Sequence, residues 1–233
     1  MRVNLFFACI LPFIGLMTLF GNAAVMFAFW KVPGLKLRPS NLLILNLSVS
    51  DFVNGLIILI LLAQYLILGR NIYGEIGCGI GVFLTEYISI VSLSTLCAIG
   101  FDRVLFVAKN YPEYVRIQSR RRIKITIVAC WIIALISPVL ELSLWEMAKN
   151  ISVKASLIQF DLTCISPVKT LKVVSTFFFL VFSLIPVLTI TVLSLIFIFF
   201  LRKRLKKHER FAPVATTHPQ GSGNRGGNDD HTT

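Results

Sequence analysis

Charge is scarce in this sequence. Acidic residues number 11, and charged residues of all kinds make up 15% of the 233, where a water-soluble domain carries about a quarter. That scarcity excludes a solvated domain folded around one core. Histidine is scarcer still. His208 follows two lysines, and His218 and His231 lie near the end without partners at ligand spacing, so no metal site of the His/Cys kind is expected. There is no Gly-rich phosphate loop, no Cys-x-x-Cys pair and no histidine at catalytic spacing from a serine. Nothing therefore points to an enzyme or to a cofactor. Basic residues are plentiful, 23 against 11 acidic, for a net charge of +12. They belong to no basic soluble module, so nucleic acid is not an expected partner.

What the chain has instead is apolar length. Hydrophobic residues make up 56%, and the mean hydropathy is +0.80. They fall into five continuous blocks, 5–30, 41–68, 79–107, 124–146 and 170–201. A helix needs about 20 such residues to cross a bilayer. The blocks do not alternate, which excludes a β-barrel. In lipid each segment must satisfy its own backbone, so the blocks are expected to be helices. The fold class is an all-α membrane protein, a helix bundle. The first block starts basic, at Met1-Arg2, but runs on to Trp30 without a clean small-x-small site. It is read as a retained helix rather than a signal peptide, with no soluble domain before it.

Lys and Arg set the expected orientation. Lys31, Lys36 and Arg38, the run from Arg103 to Lys124, and the run from Arg202 onward place seventeen of the 23 on one side. That side is expected to be cytoplasmic, the N-terminus extracellular and the protein multi-pass in the plasma membrane. Residues 1–205 form the bundle. Residues 206–233 are a basic juxtamembrane stretch and then an aperiodic Gly, Asn, Thr and His tail, expected to be disordered. The basic excess is also an attraction to anionic lipid. Cys78 and Cys164 fall outside, where a disulfide persists, and their bridge would tie the long loop over the third helix. Cys9, Cys97 and Cys130 sit within the apolar blocks. Asn150-Ile151-Ser152 is a glycosylation sequon on the outer side.

Polar residues inside the blocks carry most of the information. A carboxylate at a helix centre costs about 2.5–3.5 kcal/mol on insertion scales, so it faces the bundle interior. Asp51 is such a residue, and Asn22 sits mid-way along the first block. Thr85, Ser89, Ser92, Leu96, Ile99 and Arg103 follow helical steps along one face of the third. Hydroxyls on such a face either build a polar cluster near Asp51 or let helices pack closely.

With these residues in order, the chain resembles rhodopsin-like G-protein-coupled receptors over its first five helices. Gly21-Asn22 matches the first-helix motif, and Leu45 to Asp51 the Leu-x-x-x-Asp motif. Cys78 stands at the family spacing before Arg103. Asp102-Arg103-Val104 is similar to Asp-Arg-Tyr, with Val for Tyr. Trp131 matches the fourth-helix tryptophan and Pro186 the fifth-helix proline. The resemblance implies a receptor for an extracellular small molecule that signals to a heterotrimeric G protein. It makes Asp102 and Arg103 an ion-paired switch, with Tyr111 and Pro112 near the G protein. It makes Asp51 and Ser92 ligands of an allosteric sodium ion.

Among these receptors the likeness is closest to histamine and muscarinic amine receptors, on Asn46 to Phe52, Gly69-Arg70 before Tyr73-Gly74, and Leu144-Trp145-Glu146. The expected ligand contacts are Thr85, Glu86, Ser89, Phe178, Phe179 and Phe182. Here the sequence departs from amine receptors. Thr85 stands where they carry the ammonium-binding Asp, with the acid next door at Glu86. Three phenylalanines replace the polar fifth-helix positions, and Asn71 replaces a tryptophan. Glu86 is read either as the amine counter-ion or as a buried acid satisfied by neighbouring helices. The sixth and seventh helices of the family find no counterpart, so the chain is expected to be a fragment or truncated form. The competing readings are a non-signalling membrane partner of a full-length receptor and, further off, a transporter or channel.

Overall fold

The computed structural model describes residues 5–68, 74–151, 177–178 and 180–211. They are almost wholly helical: α1 Leu5–Lys31, α2 Asn41–Leu68, α3 Gly74–Ala108, α4 Tyr111–Ile117, α5 Arg120–Ala134, α6 Ile136–Ile151 and α7 Ile185–Phe211. A 3-10 turn, Pro33–Leu37, joins α1 to α2. Five stretches are long and apolar enough to cross a membrane, Ile10–Lys31, Asn41–Leu61, Gly79–Ala108, Arg120–Leu144 and Leu180–Lys206. The expected all-α bundle is the observed fold. The fourth span starts at Arg120 rather than 124, and the last helix runs on through the basic stretch to Phe211. The expected start of the fifth block at 170 lies outside the described residues.

The third span is the hub. It packs against α2, α5, α6 and α7 and touches α4, while α1 reaches the bundle through α2. Two glycines make the first pair of spans tight. A Cβ on Gly15 would stand 2.7 Å from Leu59 Cδ2, and one on Gly55 would stand 3.5 Å from the Gly15 carbonyl oxygen. The interior holds Leu43, Ile88, Val91, Ile123 and Ala134, but also Ser48, Ser50, Ser92, Thr95, Asp102, Ser137 and Glu141. Large apolar side chains such as Phe13, Phe20, Ile132 and Leu195 face outward. That inversion is what a lipid solvent allows, since burying apolar groups gains little there and packing relies on small and polar residues.

Prolines shape the last two spans. Pro138 has no N–H, and its ring crowds the carbonyl of Ala134. The fourth span accordingly breaks at Leu135, whose N–H turns to the carbonyls of Ile132 and Ile133. Ahead of Pro186 the fifth span widens into a π turn over Leu180–Leu184, a common answer to a lost backbone donor. Between the third and fourth spans, Pro112 opens the short α4. Ser119 then caps α5, its Oγ accepting from the Arg122 N–H.

Candidate functional site

At the Arg103 end, Asp102 is only 2% exposed. Its Oδ1 accepts three hydrogen bonds, from Ser40 Oγ, Tyr114 Oη and Gln118 Nε2, each at 2.9 Å. Ser40 Oγ and Tyr114 Oη also lie 2.7 Å apart; having one proton each, they cannot both donate to Asp102 and bond each other at once. Burial is the main cause that pushes the Tyr114 phenol above its ordinary value; the Ser40 bond works against it and Asp102 adds to it. Tyr114 therefore stays protonated and donates. The expected Asp102–Arg103 ion pair is absent among the described residues. Adjacent helical residues point about 100° apart. Asp102 turns inward to the start of α2 and to α4, and Arg103 is left exposed. Further along the chain, Tyr111 is 72% exposed and Pro112 is exposed too. The ion pair observed in this region is Lys109–Glu113, exposed and within one turn, where such pairs contribute little.

Deeper in the bundle, three helices are joined through one side chain. Trp131 Nε1 donates to Asn46 Oδ1, and Asn46 Nδ2 donates to Thr95 Oγ1, both at 2.9 Å. The Trp131 ring meets Tyr87 edge-on at 5.8 Å. Nearby, Ser92 Oγ donates to Ser50 Oγ at 3.0 Å rather than turning to Asp51. Asn22 Nδ2 bonds its own helix, at the Thr18 carbonyl. Asp51, half-buried, takes no hydrogen bond or ion pair among the described residues. Its oxygens and the lone pairs of Ser92 suit the oxygen shell of a hard cation.

Towards the Cys78 end, the expected ligand residues point in three directions. Thr85 bonds the Gly81 carbonyl, and Ser89 bonds that of Thr85 while accepting from Asn54 Nδ2 at 3.3 Å. Glu86 turns to the fourth span, where Ser137 Oγ donates to its Oε1. Glu141, one turn beyond Ser137, is buried beside it. Phe178 and Phe182 stack at 5.7 Å, and Phe182 packs on Ile90, Val91 and Ala134. Pro186 gives its carbonyl to Cys97 Sγ. Phe179 and Cys164 lie outside the described residues, as does the Cys78 side chain. Asn150 falls in the last turn of α6.

Residues of these clusters that were not singled out by sequence include Ser40, Asn54, Tyr87, Thr95, Tyr114, Gln118, Ser137 and Glu141. Tyr114 and Gln118 had a signal, being four apart on the short helix that Pro112 opens. Glu141 had one too, as an acid inside an apolar block.

A sequence profile described as 7 transmembrane receptor (rhodopsin family) matches residues 21–224. The chain belongs to this family, a class of multi-pass membrane receptors rather than enzymes. Its relatives include the melanopsin of Rattus norvegicus, 32% identical over 122 residues, 52% of this chain and 25% of that protein. The melanopsin of Branchiostoma belcheri is 32% identical over 123 residues, covering 53% and 17%. A Gq-coupled rhodopsin of Mizuhopecten yessoensis is 29% identical over 127 residues, covering 53% and 24%. The chain thus spans about a quarter or less of these relatives. They are named melanopsins and a rhodopsin, so the expected closeness to histamine and muscarinic receptors is not supported.

Proposed function

We propose that this chain supplies helices one to five of a plasma-membrane receptor that senses an extracellular small molecule and signals to a heterotrimeric G protein. The reading puts the N-terminus outside and the Arg103 end in the cytoplasm. It rests on one observation above the rest: the third span ends in a buried Asp102 with its donors supplied by Ser40, Tyr114 and Gln118, which leaves the Arg103 guanidinium exposed. An arginine so presented offers five donors to an incoming carboxyl or carbonyl group. Tyr111 and Pro112, at the start of α4, are exposed as well. The relative named as Gq-coupled makes a G protein of that class the first to test.

The ligand is proposed to be a small amine. Glu86 is an acid in the half of the third span nearest Cys78, and Phe178 and Phe182 form a stacked aromatic pair on the fifth. A cation gains from both. Sodium at Asp51 and Ser92 would favour the resting state. A Cys78–Cys164 bridge would hold the outer loop, and peptide mapping without reduction reads it directly. The signalling test joins residues 1–233 to helices six and seven of a family member and measures nucleotide exchange on Gq in membranes. Asp102→Asn is expected to raise basal exchange, and Arg103→Ala to abolish it while the protein stays in the membrane. Exchange that is the same in both variants and the parent refutes the reading.

A further inference from the structure

The third and fourth spans enclose a small cleft in the half of the bundle nearest Cys78. Its walls are Val82, Phe83, Pro138 and Leu142, and two carboxylates, Glu86 and Glu141, line it from opposite helices. Its volume is about 20 Å³, room for one water-sized group. Ser137 is fully buried and donates to Glu86 Oε1. Ser137 and Glu141 are four residues apart and so share one face of α6. Glu141 is 8% exposed, and its Oε1 is buried without a hydrogen-bond partner.

A buried, unpartnered carboxylate oxygen is expensive. Two carboxyl groups that line one cleft raise each other's cost of ionising, and a cation at the free oxygen of Glu141 offsets it. The cleft is too small for an organic molecule but matches a bare ion or the head of an ammonium group. It offers at most four carboxylate oxygens and one hydroxyl. That is too few for calcium, which takes six to eight, and leaves no room for the waters magnesium keeps. Oxygen donors suit a hard monovalent ion, and an ammonium head has three N–H donors for the same oxygens.

We propose that Glu86, Ser137 and Glu141 form a binding site for one compact monovalent cation, entering as a sodium ion or as the ammonium head of a small amine. The cation takes the free oxygen of Glu141 and, with the Ser137 hydroxyl, shares those of Glu86. It joins α3 to the outer half of the broken fourth span, where the described contacts are otherwise apolar apart from Ser137. Binding needs no G protein, so its failure and the failure of the signalling reading are separable.

The test uses the purified full chain in lipid nanodiscs at fixed pH and ionic strength. Sodium chloride or methylammonium chloride replaces choline chloride, whose cation is too large for the cleft, and the thermal unfolding midpoint is followed. The expected result is a saturable rise of about 2–4 °C once the cation stands roughly fivefold above its dissociation constant. A rise with sodium alone assigns the free ion, and one with methylammonium alone assigns the amine head. The rise persists in Asp51→Asn and disappears in Glu141→Gln and in Glu86→Gln. Ser137→Ala, which removes an oxygen but no charge, moves half-saturation to about threefold higher concentration or more. A rise lost in Asp51→Asn and kept in Glu141→Gln puts the cation at Asp51 and overturns the proposal. So does a parent that responds to neither cation; if a separate pH titration then moves its midpoint, the pair holds a shared proton instead. A saturation curve unchanged in Ser137→Ala overturns the three-residue site.

Discussion

Replacing Tyr114 by Phe isolates one hydroxyl. The ring contact with Phe106, edge-on at 5.2 Å, survives, while the 2.9 Å bond to Asp102 Oδ1 and the 2.7 Å contact with Ser40 are lost. A hydrogen bond to a charged group contributes about 1.5–3 kcal/mol. Ser40 and Gln118 still reach the same oxygen, so the lower end applies. A loss of about 1.5 kcal/mol lowers the unfolding midpoint by roughly 3–6 °C for a chain of this size. Tyr114→Leu removes the ring contact as well and costs about 0.5–1.5 kcal/mol more. The decisive measurement is the cycle with Asp102→Asn, followed by thermal unfolding in nanodiscs. Once Asp102 is neutral, the hydroxyl has no charge to serve, so the two substitutions should couple by about 1 kcal/mol. Effects that add to within about 0.3 kcal/mol would refute a direct bond between them.

Two further outcomes follow from the same geometry. Asn46→Leu strips partners from both Trp131 Nε1 and Thr95 Oγ1. It is expected to lower stability by about 1–3 kcal/mol, and Trp131→Phe in that background should add much less than it does alone. Tyr114 also gives the chain an alkaline signature. Its phenol is raised in the fold, chiefly by burial. The folded state therefore holds its proton longer than the unfolded one, and the contribution is fully present below about pH 10. It is lost as pH climbs through the higher folded value, so the parent's midpoint should fall more steeply than that of Tyr114→Phe in this range. Matching slopes would remove Tyr114 from the account.

The five spans were legible because each is a local property, a run of apolar residues long enough for lipid to demand a helix. The break at Leu135 and the π turn before Pro186 were latent in two prolines. The third-helix face of Thr85, Ser89 and Ser92 was legible as a period. Its bonds were not: Ser89 and Thr85 satisfy themselves on their own helix, and Ser92 chooses Ser50 over Asp51. The Asp102 cluster draws on residues 40, 114 and 118, brought together only when α4 folds back under the second span. Adjacency in sequence suggested Arg103 as the partner of Asp102, and helical geometry turned it away. Glu86 was legible as one of two alternatives, counter-ion or buried acid. Its turn toward Ser137 required knowing which helix lies at that flank of α3.

The hydroxyls of the fifth span have a consequence of their own. Thr189, Thr191 and Ser194 each bond the carbonyl four residues back in their own helix. None of them names a neighbour. Among the described residues, α7 meets the third span through apolar contact, with Leu193 3.2 Å from where a Cβ on Gly100 would stand. Its polar ties to the rest are Cys97 to the Pro186 carbonyl and Arg204 to the Lys109 carbonyl. Trp131, in contrast, is bolted to Asn46. The fifth helix is thus a runner on a greased rail, pinned near its two ends. It can rotate or slip by a fraction of a turn against the third without any of its side-chain hydroxyls losing a bond, so the register between the two helices is set by shape and by the surrounding lipid.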